Sequence, residues 1–335
     1  MSVSADVSNA KAMMTLRVCV LMGVLLVTPA TRAQWYERDA AVMGTAVKVE
    51  VWHRDPAAAA EAMTAVMAEM QRVDTLMSTY KPDSALSVVN ARAATEPVAI
   101  TDELVDLIGL ALDYSRLTQG AFDITYASVG YLYDFRAHVK PADDVLAAAL
   151  PAVDYRHVLL DRDGHTIRFL QPGVRIDLGG IAKGHAVDRA IDLLRTRGIE
   201  HALVTAGGDS RLLGDRRGEP WVVGVRDPRT AGDILLRLPL ADEAISTSGD
   251  YERYFEADGK RYHHILEPGT GQPAGSVRSV TVIGPMAVDT DALSTSVFVL
   301  GVDRGLALIE RLDGFEAVIV DARGGIYYSQ GLTEP

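Results

Sequence analysis

The chain reads as an α+β fold, with mixed and largely antiparallel sheets packed against helices. Three observations carry that reading. Short alternating runs follow one another with hairpin signals between them, at Asp163-Gly164 and Asp258-Gly259. Capped amphipathic runs at helical spacing separate these strands. Two to three strand–helix units complete the pattern, with no internal repeat, low-complexity linker or clean domain boundary.

The first 33 residues read as a secretory signal. Lys11 and Arg17 form a basic start, Val18–Val27 an apolar core, and Thr31-Arg32-Ala33 a cleavage site before Gln34. Export to the periplasm follows, with inner-membrane association if the signal stays uncleaved. Residues 34–335 are then the mature domain. Cys19, the single cysteine, lies inside the signal, so the mature chain has neither disulfides nor thiol chemistry. The 335 residues are 48% hydrophobic, ample for a core, and carry a net charge of −12. No basic block stands against that charge, which argues against a nucleic-acid partner.

Along the chain, Ala41–His53 alternates and reads as a strand with Met43-Gly44 at its start. Asp55-Pro56 caps a helix whose stripe of Ala60, Met63, Met67, Met70, Val73 and Met77 suits core packing. Ser78–Ser84 is a polar turn. Thr101 caps a second helix that stops near Gly120, and Ala121-Phe122-Asp123 follows in a loop. Pro141–Leu150 is a short Ala-rich helix, and Val158–Leu170 a hairpin. Next, Val174, Ile176 and Leu178 alternate as a strand, break at Gly179-Gly180, and resume as an amphipathic helix closing at Gly198. Bare backbone N–H groups at such a helix start suit phosphate, and equally a plain tight turn.

His201–Ala206, Trp221–Val225, Ile234–Leu240, Tyr251–Ile265 and Val277–Ile283 read as further strands, with Ser246–Tyr251 a hydroxyl-rich turn. Asp289–Leu300 and Arg304–Leu312 read as two helices parted by Gly301. A last hairpin joins Phe315–Val320 to Ile326–Ser329.

Asp291 and Thr295 stand at i and i+4 of a helix, on one face. Oxygen ligands of this kind suit Mg²⁺, although the spacing also fits simple capping by Asp289. His263, His264 and Glu267 invite a zinc-hydrolase reading, but H-E-x-x-H and its inverse are absent and no cysteine is available. One exposed and one inward-facing strand histidine is the plainer arrangement. The Ser246–Tyr251 run lacks the G-x-S-x-G elbow of serine hydrolases.

Eight segments in order are MGT at Met43–Thr45, STYKPDSALSVVN at Ser78–Asn90, GAFDIT at Gly120–Thr125 and DLGGIAKGHAVDRA at Asp177–Ala190. They continue with AGGDSRLLG at Ala206–Gly214, TSGDYERYF at Thr247–Phe255, HHILEPGTG at His263–Gly271 and DALSTSVFVLG at Asp291–Gly301. Together they resemble the FAD:protein FMN transferases, the ApbE-type flavin transferases of bacterial envelopes. That resemblance implies an α+β fold of two interleaved lobes with FAD in the cleft between them.

It also implies a reaction. FAD is cleaved at its pyrophosphate with Mg²⁺, FMN is esterified to a Thr or Ser of an acceptor flavoprotein, and AMP leaves. The acceptor is a membrane electron-transport subunit or a small FMN-binding domain. By the same resemblance the Gly180 carbonyl joins Asp291 and Thr295 as metal ligands. Met43, Tyr80, Ala121, Phe122, Asp123, Asp177, Lys183 and Ile265 then contact FAD. His264 is the candidate base toward the incoming hydroxyl.

Three positions depart from the family pattern. Glu267 stands for the usual Asp, Ile124 for Pro, and Thr205-Ala206 for Asn-Leu. The first puts any role of that carboxylate in doubt. FAD hydrolysis to FMN and AMP is the alternative chemistry, and a periplasmic FAD-binding or assembly protein the non-catalytic one.

Overall fold

The computed structural model describes residues 33–230, 232–257 and 259–333. The expected signal with Cys19, and Asp258 of the expected turn, lie outside them.

In chain order the elements are β1 (Gln34–Val42), β2 (Thr45–His53), α1 (Pro56–Met77), α2 (Ala85–Arg92), β3 (Val98–Ala99), α3 (Asp102–Leu117), α4 (Ala127–Gly130) and α5 (Asp143–Ala149). Then come β4 (Val158–Asp161), β5 (Thr166–Phe169), α6 (Ala182–Thr196), β6 (Ala202–Ala206), β7 (Asp209–Leu213), β8 (Trp221–Arg226) and β9 (Ile234–Leu240). The chain ends with β10 (Ala244–Gly249), β11 (Tyr254–Ala257), β12 (Lys260–His263), β13 (Val277–Gly284), α7 (Ala287–Ile309), β14 (Glu316–Asp321) and β15 (Ile326–Tyr328).

One eight-stranded sheet, in the order β1-β2-β6-β7-β10-β13-β14-β15, is the frame, and its pairs are antiparallel. The fold is α+β, as expected. α6 packs on β6 and β7, α7 on β10 and β13, and α6 on both α1 and α7. The methionine stripe does what its spacing predicts: Met63, Met70 and Met77 are buried in the main core. α7 is long and apolar enough for a membrane span, but more than half of that apolar window is buried in the protein. It is the core helix.

The frame is interrupted by excursions, and these bring in the polar residues. Between β2 and β6 the chain inserts α1 to α6 and the small sheet β3-β5-β4. Between β10 and β13 it makes the β11–β12 hairpin, which runs on to His264.

Several elements differ from the sequence reading, among them β3 and β7, which it did not contain. The strand expected at Ala41–His53 is two strands around a Met43-Gly44 turn, with φ 55° and 70°. Two successive left-handed residues are the type I′ signature, whose twist matches a hairpin. The Val174–Leu178 run is not a strand. Its alternation is real, since Val174, Ile176 and Leu178 are buried. Its backbone, however, is held by side chains: Asn90 Nδ2 donates to Ile176 O at 2.8 Å and Asn90 Oδ1 accepts from Ile176 N at 2.7 Å.

The expected turn at Ser246–Tyr251 is mostly β10, whose hydroxyls are satisfied across elements instead of locally. Ser246 Oγ lies 2.8 Å from Thr290 Oγ1, and Thr247 Oγ1 lies 2.8 Å from Thr281 Oγ1. Finally, α2 follows Ser84, which caps it through Ser87 N. The expected break at Gly301 is present inside α7, with φ 79° and ψ −174°.

Candidate active site

The Asp177–Gly180 turn starts the site. Asp177 Oδ1 accepts from Gly179 N at 2.6 Å, an Asx-type closure that fixes the turn. Leu178 O accepts from Ile181 and Ala182, which begins α6 without a side-chain N-cap. One turn on, Lys183 points back. Its Nζ donates to Gly179 O at 3.0 Å and to Asp291 Oδ1 at 3.1 Å. It also lies 3.0 Å from Asp209 Oδ2, which nevertheless has no directed hydrogen bond. The contact is electrostatic.

Two buried carboxylates thus share one ammonium. Asp209 and Asp291 are each 2% exposed. Burial, and then the charge of Asp209, push the Asp291 carboxyl up to about 7, with Lys183 pulling the other way. Burial works against the Lys183 charge, but the two carboxylates outweigh it and hold the ammonium above its ordinary range. Asp291 Oδ2 also accepts from Gly184 N at 3.0 Å, so it caps α6 from the neighbouring helix.

Thr295 lies one turn beyond Asp291 on α7. Its Oγ1 is 3.2 Å from Ser248 Oγ, which is 2.9 Å from Ser294 Oγ. Gly180 faces this row. A Cβ placed there would lie 3.4 Å from Thr295 Oγ1 and 3.2 Å from the Phe122 ring. The structure therefore gathers Gly180, Lys183, Asp291, Thr295 and Phe122, which stand far apart in sequence.

This donor set fits a hard divalent cation. Two carboxylates against one ammonium leave a net negative charge, and hydroxyl and carbonyl oxygens complete the lining. Among the described residues no cluster of three His, Cys, Asp or Glu exists.

A second wall is more open. Thr79 Oγ1 donates to Asp177 Oδ2 at 2.9 Å and Tyr126 OH to Asp177 Oδ1 at 3.3 Å. Tyr80 is 77% exposed, with its hydroxyl 3.4 Å from Arg253 Nη1. His264 Nδ1 lies 3.3 Å from Arg253 O. A carbonyl can only accept, so Nδ1 carries the proton and Nε2 keeps its lone pair. Burial, and then the nearby Arg253 charge, pull the His264 imidazole down to about 3. The ring is neutral near pH 7.

The remaining expected residues are placed as follows. Phe122 is buried and meets the Tyr114 ring edge-on at 6.2 Å, while Ala121 precedes it. Ile265 is buried beside His264. Met43 sits in the β1–β2 turn, and the neighbouring Ala46 O accepts from Gly207 N of the turn before Asp209. The Asp123 carboxylate is occupied locally, accepting from Thr125 N, Thr125 Oγ1 and Tyr155 N. Glu267, exposed, accepts from Thr270 Oγ1 in its own turn. His263 is the inward-facing partner and donates to Ala274 O at 2.7 Å.

Asp209, Ser248, Thr79, Tyr126 and Arg253 join the expected residues. All five lie inside or beside the recognised segments, but only the folded sheet shows which way they face.

Comparison with known proteins shows the family and the fold. The model of the ApbE family matches residues 43–319. The FAD:protein FMN transferase of Treponema pallidum is 35% identical over 95% of this chain and 93% of its own. The crystal structure of the ApbE protein from Thermotoga maritima superposes with TM-score 0.83 at 36% identity, covering 90% of this chain and 98% of that one. The flavin transferase ApbE from Vibrio cholerae gives 0.81 at 31%, over 90% and 99%.

Proposed function

The chain belongs to the ApbE family and is a flavin transferase, and from that premise we propose a Mg²⁺-dependent FAD:protein FMN transferase that releases AMP. The observation that carries the finer reading is Lys183 wedged between Asp209 and Asp291. A protein cation already lies where buried oxygens leave excess negative charge.

In the proposed reaction the oxygen of an acceptor Thr or Ser hydroxyl bonds to the FMN phosphorus. The P–O bond to AMP breaks, AMP leaves with that oxygen, and the hydroxyl proton goes to Nε2 of His264. Asp291, Thr295 and the Gly180 carbonyl would hold Mg²⁺, which when bound offsets charge on the phosphate oxygens. Lys183 brings a second positive charge to the same edge. Phe122, Ala121, Ile265, Tyr80 and Met43 form the apolar and aromatic contacts of FAD, and Asp177 with the Asp123 loop its polar ones. Phosphate beside His264 raises its basicity from the low value of the free protein, so the base gains strength when substrate is present.

Residues 34–335 are the transferase domain, in two interleaved lobes, and residues 1–33 a signal peptide that sends it to the periplasm. The acceptor is a flavoprotein with a Thr or Ser in its modification motif.

One incubation tests this. The mature protein with FAD, Mg²⁺ and a candidate acceptor should leave flavin fluorescence on the denatured acceptor and free AMP in solution. AMP without labelled acceptor would show hydrolysis instead. Tight FAD binding with neither product would show a carrier.

A further inference from the structure

α6 and α7 cap each other. Asp291 of α7 accepts from Gly184 N in the first turn of α6 at 3.0 Å. Asp188 of α6 accepts from the first N–H groups of α7: Oδ1 from Ala287 N at 3.0 Å and Oδ2 from Val288 N at 2.8 Å. Met286, the residue at the N-cap of α7, supplies no side-chain cap of its own. Arg211 Nη1 closes the clasp with a 2.9 Å bond to Asp188 Oδ1, and both side chains are buried. Arg211 stands on β7, two residues from Asp209.

The same three elements therefore carry both the clasp and the carboxylate–ammonium cluster. They meet closely, because a Cβ on Gly184 would lie 2.8 Å from Val288 Cα. With Asp291 Oδ2 committed to Gly184 N, the direction of the carboxylate depends on how α7 sits against α6. Asp188 sets that register.

Resting on the metal reading above, we propose that Asp188, held by Arg211, is a positioning residue for the cation site, touching neither cation nor FAD. Asp188→Asn is the informative change. It keeps the shape but turns one acceptor into a donor facing donors.

The test is Mn²⁺ binding followed by the EPR signal of free Mn²⁺, alongside metal-free FAD binding and thermal melting. Asp188→Asn should weaken Mn²⁺ by about tenfold or more, as outer residues that orient metal ligands do, with metal-free FAD binding unchanged. A Leu308→Ala variant loosens α7 beyond Gly301, where the helix is already broken, and should keep wild-type Mn²⁺ affinity. A folded Asp188→Asn protein with wild-type Mn²⁺ affinity overturns the proposal, as does an equal loss in Leu308→Ala.

If Asp188→Asn does not fold, wild-type hydrogen exchange decides. Saturating Mn²⁺ should slow exchange at Ala287 and Val288 by about tenfold or more, and unchanged exchange there sinks the clasp. Wild-type protein that binds no Mn²⁺ at all removes the metal reading itself, and this inference with it.

Discussion

The two walls of the site are built on opposite principles. The wall of α6, α7 and β7 buries its carboxylates and ties Asp291 down several times over. Asp291 is met by Lys183 and by Gly184 N, and its helix by Asp188. The wall of Thr79, Tyr80, Tyr126, Arg253 and His264 relies on single contacts, several of them 3.3–3.4 Å long, and leaves Tyr80 in solvent. Charge that must meet a pyrophosphate gains from burial and fixed geometry, because low dielectric strengthens it and no reorganisation is needed. A surface that must admit first a flavin and then a protein hydroxyl gains from being open. On the proposed function the difference is a division of labour: one wall would hold phosphate, and the other would admit partners.

The largest effect should come from the buried wall. Asp291→Ala should lower transfer by about a thousandfold, the order of several kcal/mol of charge stabilisation. The fold should survive, because Lys183 keeps Asp209 as its partner one to one. AMP release by chromatography and the near-ultraviolet circular dichroism of the variant measure the two halves. Full activity in chelator would remove the metal from the comparison. On the open wall, His264→Ala should cost about a hundredfold in kcat, the usual range for a lost general base. FAD affinity should change little. If FMN transfer continues at the wild-type rate, the proton goes elsewhere.

A third prediction concerns pH. Asp291 is held up to about 7 in the metal-free protein. A cation must displace its proton below that value, so apparent Mn²⁺ affinity should rise about tenfold per pH unit toward 7 and level off above it. The sign for stability runs the same way. A carboxyl raised from 3.8 contributes most below that value, and the contribution is lost as pH rises through 7. Asp291 should therefore lower the metal-free melting temperature over that window, and the fall should be smaller in Asp291→Asn, where the raised carboxyls of Asp123, Asp188, Asp250 and Asp289 remain. A flat Mn²⁺ titration between pH 5 and 8 would show that Asp291 is not the group displaced.

The two walls were also unequally legible. The helices came through because their caps and periods are local: Asp55-Pro56 and Thr101 start α1 and α3 as expected. Asp291 and Thr295 share a helix face for the same reason. Asp209 did not stand out, since its meeting with Lys183 depends on β6 and β7 pairing beside α6. Burial alternation at Val174–Leu178 was readable, but the partners were not, because the Asn90 and Ser128 side chains do the work of a neighbouring strand. The hydroxyls of β10 look like turn residues until β13 and α7 supply partners. Local signals survive in a sequence; choices of partner across the sheet do not.

The smallest prediction is the sharpest on whether the walls are separate. Thr79→Val keeps the shape of the side chain and removes one hydrogen bond to Asp177 Oδ2. Asp177 stays tied through its other oxygen to Gly179 N at 2.6 Å, so the turn below it should hold. The loss is then one partly exposed hydrogen bond, about 1 kcal/mol, which is about fivefold in the KM for FAD. Neither kcat nor Mn²⁺ affinity should move, because among the described residues the Thr79 hydroxyl bonds only to Asp177. Steady-state kinetics at saturating Mg²⁺ and a Mn²⁺ titration read the two quantities separately. Were Mn²⁺ affinity to fall in step with FAD affinity, Asp177 would be passing strain through Gly179 to Lys183. The two walls would then be one cooperative unit, and the division of labour drawn from their geometry would be wrong.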